Sequence, residues 1–149
     1  MGKLEQKQEQ LTQALVSLDK SINALTHLAK EKKGYNPSMT YEEEYRMHRD
    51  SVIQRFEYSV DLFWKYIKKY LEEAHVLSGI KIPGEVIRTA YSLEIISEEE
   101  AKTILEMIKS RNLTSHMYVE EIAEELATEI PQYYKTLSTI TQRLEGKLT

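Results

Sequence analysis

The sequence predicts an all-α protein: an antiparallel up-and-down helical bundle with two long helices, a short third helix and two C-terminal helices. Three observations predict it. Apolar residues recur at alternating steps of three and four over long runs, which places them along one side of a helix. Only 5 Gly and 3 Pro punctuate 149 residues, too few for the turns of a sheet-rich chain. Few segments alternate apolar and polar residues, and valine is scarce. The length suits a single domain, 1–149, with room for a real hydrophobic core.

The first helix is expected over Leu4 to Lys32, with Leu11, Leu15, Leu18, Ile22, Leu25 and Ala29 on its apolar stripe. "KKGYNPSMT" then breaks the pattern with Gly34 and Pro37 and reads as a loop. The second helix opens near Thr40 or Tyr41, where Thr40 and Glu43 have capping-box spacing, and runs to about Ala74. Val52, Phe56, Val60, Phe63, Ile67 and Leu71 form its core stripe, with Trp64 beside them. The two long stripes should pack antiparallel. At 1.5 Å per residue, helices of roughly thirty residues set a long axis of about 45 Å.

"SGIKIPGE" is the next loop, with Pro83 suited to the first turn of a short helix over Gly84 to Ser92. Ser97 and Glu100 form a second capping box that opens a fourth helix, Glu98 to about Leu113, with Ala101, Ile104, Leu105 and Ile108 inward. The fifth helix covers about Val119 to Leu144, burying Ile122, Leu126, Ile130, Tyr133, Leu137 and Ile140. Pro131 lies in its middle and predicts a kink or a restart.

The formal net charge is -4 and the pI about 5.7. Nucleic-acid binders usually have a basic balance, so any RNA contact must come from a local basic patch. Arg46, Arg49, Asp50 and Arg55 share the start of the second helix. Arg49 and Arg55 are candidate contacts for RNA phosphates; the competing reading pairs these arginines with Glu42 to Glu44. Cysteine is absent, which removes disulfides, thiolate catalysis and Cys-ligated zinc and fits a cytoplasmic protein. The polar start "MGKLEQKQEQ" lacks the apolar core of a signal peptide. No apolar run approaches the length of a membrane span, so no membrane partner is expected. Glu72 and His75 are one E-x-x-H half-motif, and a di-metal bundle site needs two such pairs and two further Glu. No metal or other cofactor is therefore expected.

The stretch that invites chemistry is "RNLTSHMY", residues 111–118. Asn112, Thr114 and Ser115 compete for backbone hydrogen bonds, so the helix should end or restart within it. On an unbroken helix, residues five apart point roughly 140° from each other. A bend would be needed to bring Arg111 and His116 to one groove. Imidazole titrates at about pH 6.5 and moves protons in that range. Guanidinium stays charged and grips phosphate through two hydrogen bonds. Such a pair suits metal-independent cleavage of an RNA phosphodiester. The structural alternative is an Arg and a His satisfying carbonyls at a helix C-terminus.

These residues carry a resemblance. The chain, over about residues 10 to 145, resembles the HEPN superfamily, in particular its HepT-like, nucleotidyltransferase substrate-binding branch. "RDSVIQRFEYSVDLFWKYIKKYLEE" looks like that branch's long second helix and "IPGEVIRTAYSLEIISEEEA" is similar to its central segment. "RNLTSHMY" matches its R-x4-H-x-Y motif at every defined position. The resemblance implies a homodimer with the two motif copies lining a cleft at the subunit interface. It implies a toxin with metal-independent ribonuclease activity toward an RNA substrate, in which Arg111 and His116 are catalytic and Asn112 supports them. It also implies a cognate MntA-like nucleotidyltransferase antitoxin that transfers AMP to Tyr118, blocking RNA entry by bulk and repulsion. The alternative within the same branch is a non-catalytic partner of the nucleotidyltransferase.

Overall fold

The computed structural model describes residues 2–74, 79, 82–116 and 119–148, the side chains of 114–116 and 148 excepted. Among the described residues every regular element is a helix: α1 (Lys3–Glu31), α2 (Tyr41–Ala74), α3 (Pro83–Ser92), α4 (Glu98–His116) and α5 (Glu120–Leu148). No helix is long and apolar enough to cross a membrane.

Helix α2 is the axis of the bundle and packs against each of the other four. Its stripe Val52, Phe56, Val60, Phe63, Ile67 and Leu71 is buried throughout, and Tyr66 and Tyr70 widen it. Helix α1 runs antiparallel to α2: Arg55 Nε donates to Ser17 Oγ at 3.0 Å, while Tyr35 beyond the end of α1 meets Glu44 near the start of α2. Helix α5 rises in the same direction as α2, with Arg49 against Glu120 and Glu124 and the Phe56 ring stacked on Tyr133 at 5.7 Å. Helix α4 returns antiparallel to α5, fixed where the Arg143 guanidinium grips both Glu100 carboxylate oxygens at 2.9 and 3.0 Å.

The predicted caps form as read. Thr40 Oγ1 accepts from the Glu43 N–H at 3.1 Å while Glu43 accepts from the Thr40 N–H at 3.0 Å. Ser97 and Glu100 make the same reciprocal pair at 3.1 and 2.9 Å. Glu100 thus serves both the cap and the α4–α5 ion pair, and the Arg143 guanidinium holds its carboxyl below the usual carboxylate range. Pro83 opens α3 as its first residue.

Three expectations change. Helix α5 does not restart at Pro131 but continues from Glu120 to Leu148. Buried Leu126, Ala127, Ile130, Tyr133 and Leu137 straddle the proline, and their packing outweighs the roughly 3 kcal/mol a mid-helix proline costs. The inward face of α4 is rotated: Ala101, Ile104 and Met107 are buried, while Leu105 and Ile108 only flank the core. Helix α4 also extends through His116, so no helical break falls between Arg111 and His116.

The α1–α2 loop is organised by a buried carboxylate. Glu44, only 7% exposed, accepts the N–H of Tyr35 at 2.8 Å and of Asn36 at 3.4 Å. A Cβ on Gly34 would meet Glu44 Oε2 at 2.1 Å. Gly34→Ala should therefore expel the carboxylate from its loop amides and lower stability by about 1.5–3 kcal/mol, the worth of hydrogen bonds to a charged group. Urea unfolding of Gly34→Ala beside Gly34→Ala/Glu44→Gln checks this: once the carboxylate is gone, the alanine should cost little more.

The buried tyrosines give a pH prediction. Burial pushes the Tyr45, Tyr66 and Tyr133 phenols up from 10.0 to about 12, with Glu124 and Glu129 adding to the rise at Tyr45 and Tyr133. Folding favours the neutral phenols. That stability is fully present below pH 10 and is lost as pH rises through about 12. A spectrophotometric titration should show a late, cooperative tyrosine fraction ionising together with loss of helical circular dichroism.

Candidate functional site

The polar side of α2 carries Gln54, Arg55, Glu57, Tyr58 and Asp61 at steps that share one helix face. With Arg111 of α4 they line a groove of about 530 Å³. Arg111 Nη2 lies 3.8 Å from Asp61 Oδ1, and Arg111 Nη1 donates to Asn112 Oδ1 at 3.3 Å. Asp61 also accepts from the Lys65 ammonium at 2.9 Å and the Trp64 indole N–H at 3.3 Å. With the arginine 34% and the aspartate 29% exposed, the long Arg111–Asp61 pair orients the guanidinium more than it stabilises the fold.

Arg55 lines the same groove. It is exposed, and its guanidinium is tied to Ser17 of α1 and to Ser51 one turn back on α2. A second groove of about 230 Å³, lined by Gln10, Gln13, Ala14 and Ser17 of α1, shares Arg55 and Tyr58 with the first. Tyr58 stands on the ridge between them, 59% exposed.

Arg49 is placed differently. Its side chain is 1% exposed. It meets Glu120 through Nη1 at 2.6 Å and Nη2 at 3.2 Å, Glu124 at 3.3 Å and Asp50 at 3.1 Å. Glu120 also meets Arg46 at 3.5 Å, and the Tyr45 hydroxyl donates to Glu124. These carboxylates raise the Arg49 pKa, Glu120 foremost. A phosphate could reach Arg49 only by displacing Glu120, Glu124 and Asp50. The ion-pair reading of this arginine holds, with its cross-helix partners on α5 and not at Glu42 to Glu44. Burial was readable from position: Arg49 extends the stripe of Val52, Phe56 and Val60 by one step of three.

The predicted site residues therefore divide. Arg111, Asn112 and Arg55 lie on or beside the groove, and Arg49 lies in the α2–α5 clamp. The His116 side chain and Tyr118 lie outside the described residues, as does His75 of the E-x-x-H pair. Asp61, Tyr58 and Gln54 were not singled out by the sequence reading, although their spacing marks a polar face opposite the core stripe. Among the described residues no cluster of three or more His, Asp or Glu could hold a metal ion.

The clamp predicts a stability cost. Arg49→Met keeps the packing volume but leaves Glu120 and Glu124 without their shared cation. Both carboxylates are about half exposed and rehydrate, so the loss falls below the 3–5 kcal/mol typical of a fully buried pair, at about 2 kcal/mol. Denaturant unfolding checks the value, and Arg55→Met, which breaks only exposed contacts, should cost under about 1 kcal/mol.

Comparison with known proteins follows the fold closely. The crystal structure of a protein from Thermus thermophilus is similar at 33% identity and a TM-score of 0.62, covering 85% of this chain and 98% of that one. No curated protein matches the sequence. The family described as nucleotidyltransferase substrate binding protein like matches residues 6–146, nearly the whole bundle with the groove and the 111–118 segment inside it. The chain belongs to that nucleotidyltransferase substrate binding protein like family.

Proposed function

We propose that this protein is a HEPN-type toxin: a homodimeric, metal-independent endoribonuclease whose partner is a nucleotidyltransferase antitoxin. The observation that carries the reading is the complete R-x4-H-x-Y segment, Arg111 to Tyr118, with its arginine lining a groove that already holds a second arginine, Arg55. The family match over residues 6–146 supports the nucleotidyltransferase partner.

In the proposed reaction His116 takes the proton of a ribose 2′-OH as that oxygen attacks the adjacent phosphorus. The O2′–P bond forms and the P–O5′ bond breaks. The proton is returned to the leaving 5′-oxygen, leaving a 2′,3′-cyclic phosphate and a 5′-hydroxyl. Arg111 holds the charge gathering on the non-bridging oxygens, and Asn112 steadies Arg111. In the regulatory step the Tyr118 phenol oxygen bonds to the α-phosphorus of ATP, pyrophosphate leaves, and the phenolic proton passes to a base of the nucleotidyltransferase. The added phosphate charge and adenosine close the cleft to RNA.

His116→Ala should abolish RNA cleavage and growth inhibition while the helical signal stays unchanged; full toxicity in that variant would remove the ribonuclease claim. Incubation with the nucleotidyltransferase encoded beside it and ATP should add mass in multiples of AMP, and Tyr118→Phe should remove the addition. A second reading, a non-catalytic partner protein, draws on the groove's charge balance, in which Glu57 and Asp61 match Arg55 and Arg111 in number. It predicts AMP transfer to Tyr118 with no cleavage by the unmodified protein.

A further inference from the structure

The ridge between the two grooves has a composition that neither packing nor the motif explains. Tyr58 is a large aromatic residue left 59% exposed in the middle of a helix whose other face is the core. One turn before it stands Arg55, whose guanidinium is held by Ser17 and Ser51. That leaves further N–H donors for a ligand, since guanidinium carries five. Both residues line both grooves. Arg111 lies at one side of this ridge, and the amide side chains of Gln10 and Gln13 lie at the other.

We infer that Tyr58 and Arg55 form a binding subsite for single-stranded RNA: Tyr58 stacks a nucleobase, and Arg55 holds a phosphate neighbouring the one cleaved. This rests on the ribonuclease reading and extends it from the cleaved bond to the strand around it. Single strands are held by aromatic faces that accept any base and by cations that follow the backbone. An exposed tyrosine one turn from a pre-oriented arginine supplies one of each. The acidic lining does not oppose this: Asp61 is engaged by Lys65, Trp64 and Arg111. Lys65 thus adds a third cation near the two acids of the groove. Gln10 and Gln13, which carry donors and acceptors, stand where the edge of a stacked base would be read.

The test measures binding apart from cleavage. In the non-cleaving His116→Ala protein, fluorescence anisotropy follows labelled single-stranded oligoribonucleotides of A and of U. Adding Tyr58→Ala should weaken binding about tenfold or more, the usual loss on removing a stacking platform, and Tyr58→Phe should keep it. Adding Arg55→Gln should reduce the slope of log Kd against log salt by about 0.7, one phosphate contact on a single strand. Unchanged affinity in Tyr58→Ala overturns the subsite while leaving the ribonuclease reading intact. No RNA binding by the His116→Ala protein overturns both. Light scattering on Tyr58→Ala supplies a further arm: a shift from dimer to monomer would make the ridge a contact between copies of the chain and overturn the RNA subsite.

Discussion

One helix face holds the molecule together. The buried side of α2, from Val52 to Leu71, is the surface on which every other helix settles. Its burial removes enough apolar area from water to order five helices whose own propensities would leave them marginal. The opposite side of α2 is thereby committed to solvent. It cannot fold inward without withdrawing the core, and it is there that Gln54, Arg55, Glu57, Tyr58 and Asp61 gather. The groove is a by-product of a helix that is apolar on one side and long enough to expose several turns of the other.

Electrostatics in this bundle act locally. The net charge is -4, yet the arginines of α2 occupy quite different surroundings. Arg49 is sealed among carboxylates, which fixes the beginning of α5. Six residues on, Arg55 rests on two hydroxyl groups and keeps its charge available. An overall acidic balance therefore says little about what the groove attracts, because Lys65 and the two arginines stand close to the acids that would repel an anion.

The fold was largely readable from the chain. Apolar spacing placed all five helices, and two capping boxes placed the starts of α2 and α4 to the residue. What could not be read came from contacts between segments distant in sequence. The pairing of Arg49 with Glu120 and Glu124 depends on how α5 lies against α2, which no local pattern states. The turn signals of Asn112, Thr114 and Ser115 pointed to a break before His116, yet α4 remains helical through that position; polar residues favour a helix end without forcing one. Pro131 was overruled in the same way by the packing around it. At the site, the motif arginine was evident from its spacing. The groove it joins was not, since its remaining wall comes from residues 50 positions or more away.

The two contacts that α2 makes on either side of the motif have a metric consequence. Asp61 meets Arg111 and Arg49 meets Glu120, and Arg49 and Asp61 are twelve residues apart on one straight rod, about 18 Å along its axis. The chain from 111 to 120 is thus a strap fastened to a ruler at two marks. Its letters are open to change, but its length is not: one residue more or fewer would turn one fastening by a helical step, about 100°, away from its mark. The number of residues between the arginine and the second buckle is a dimension of the scaffold, preserved by geometry whatever chemistry the strap performs.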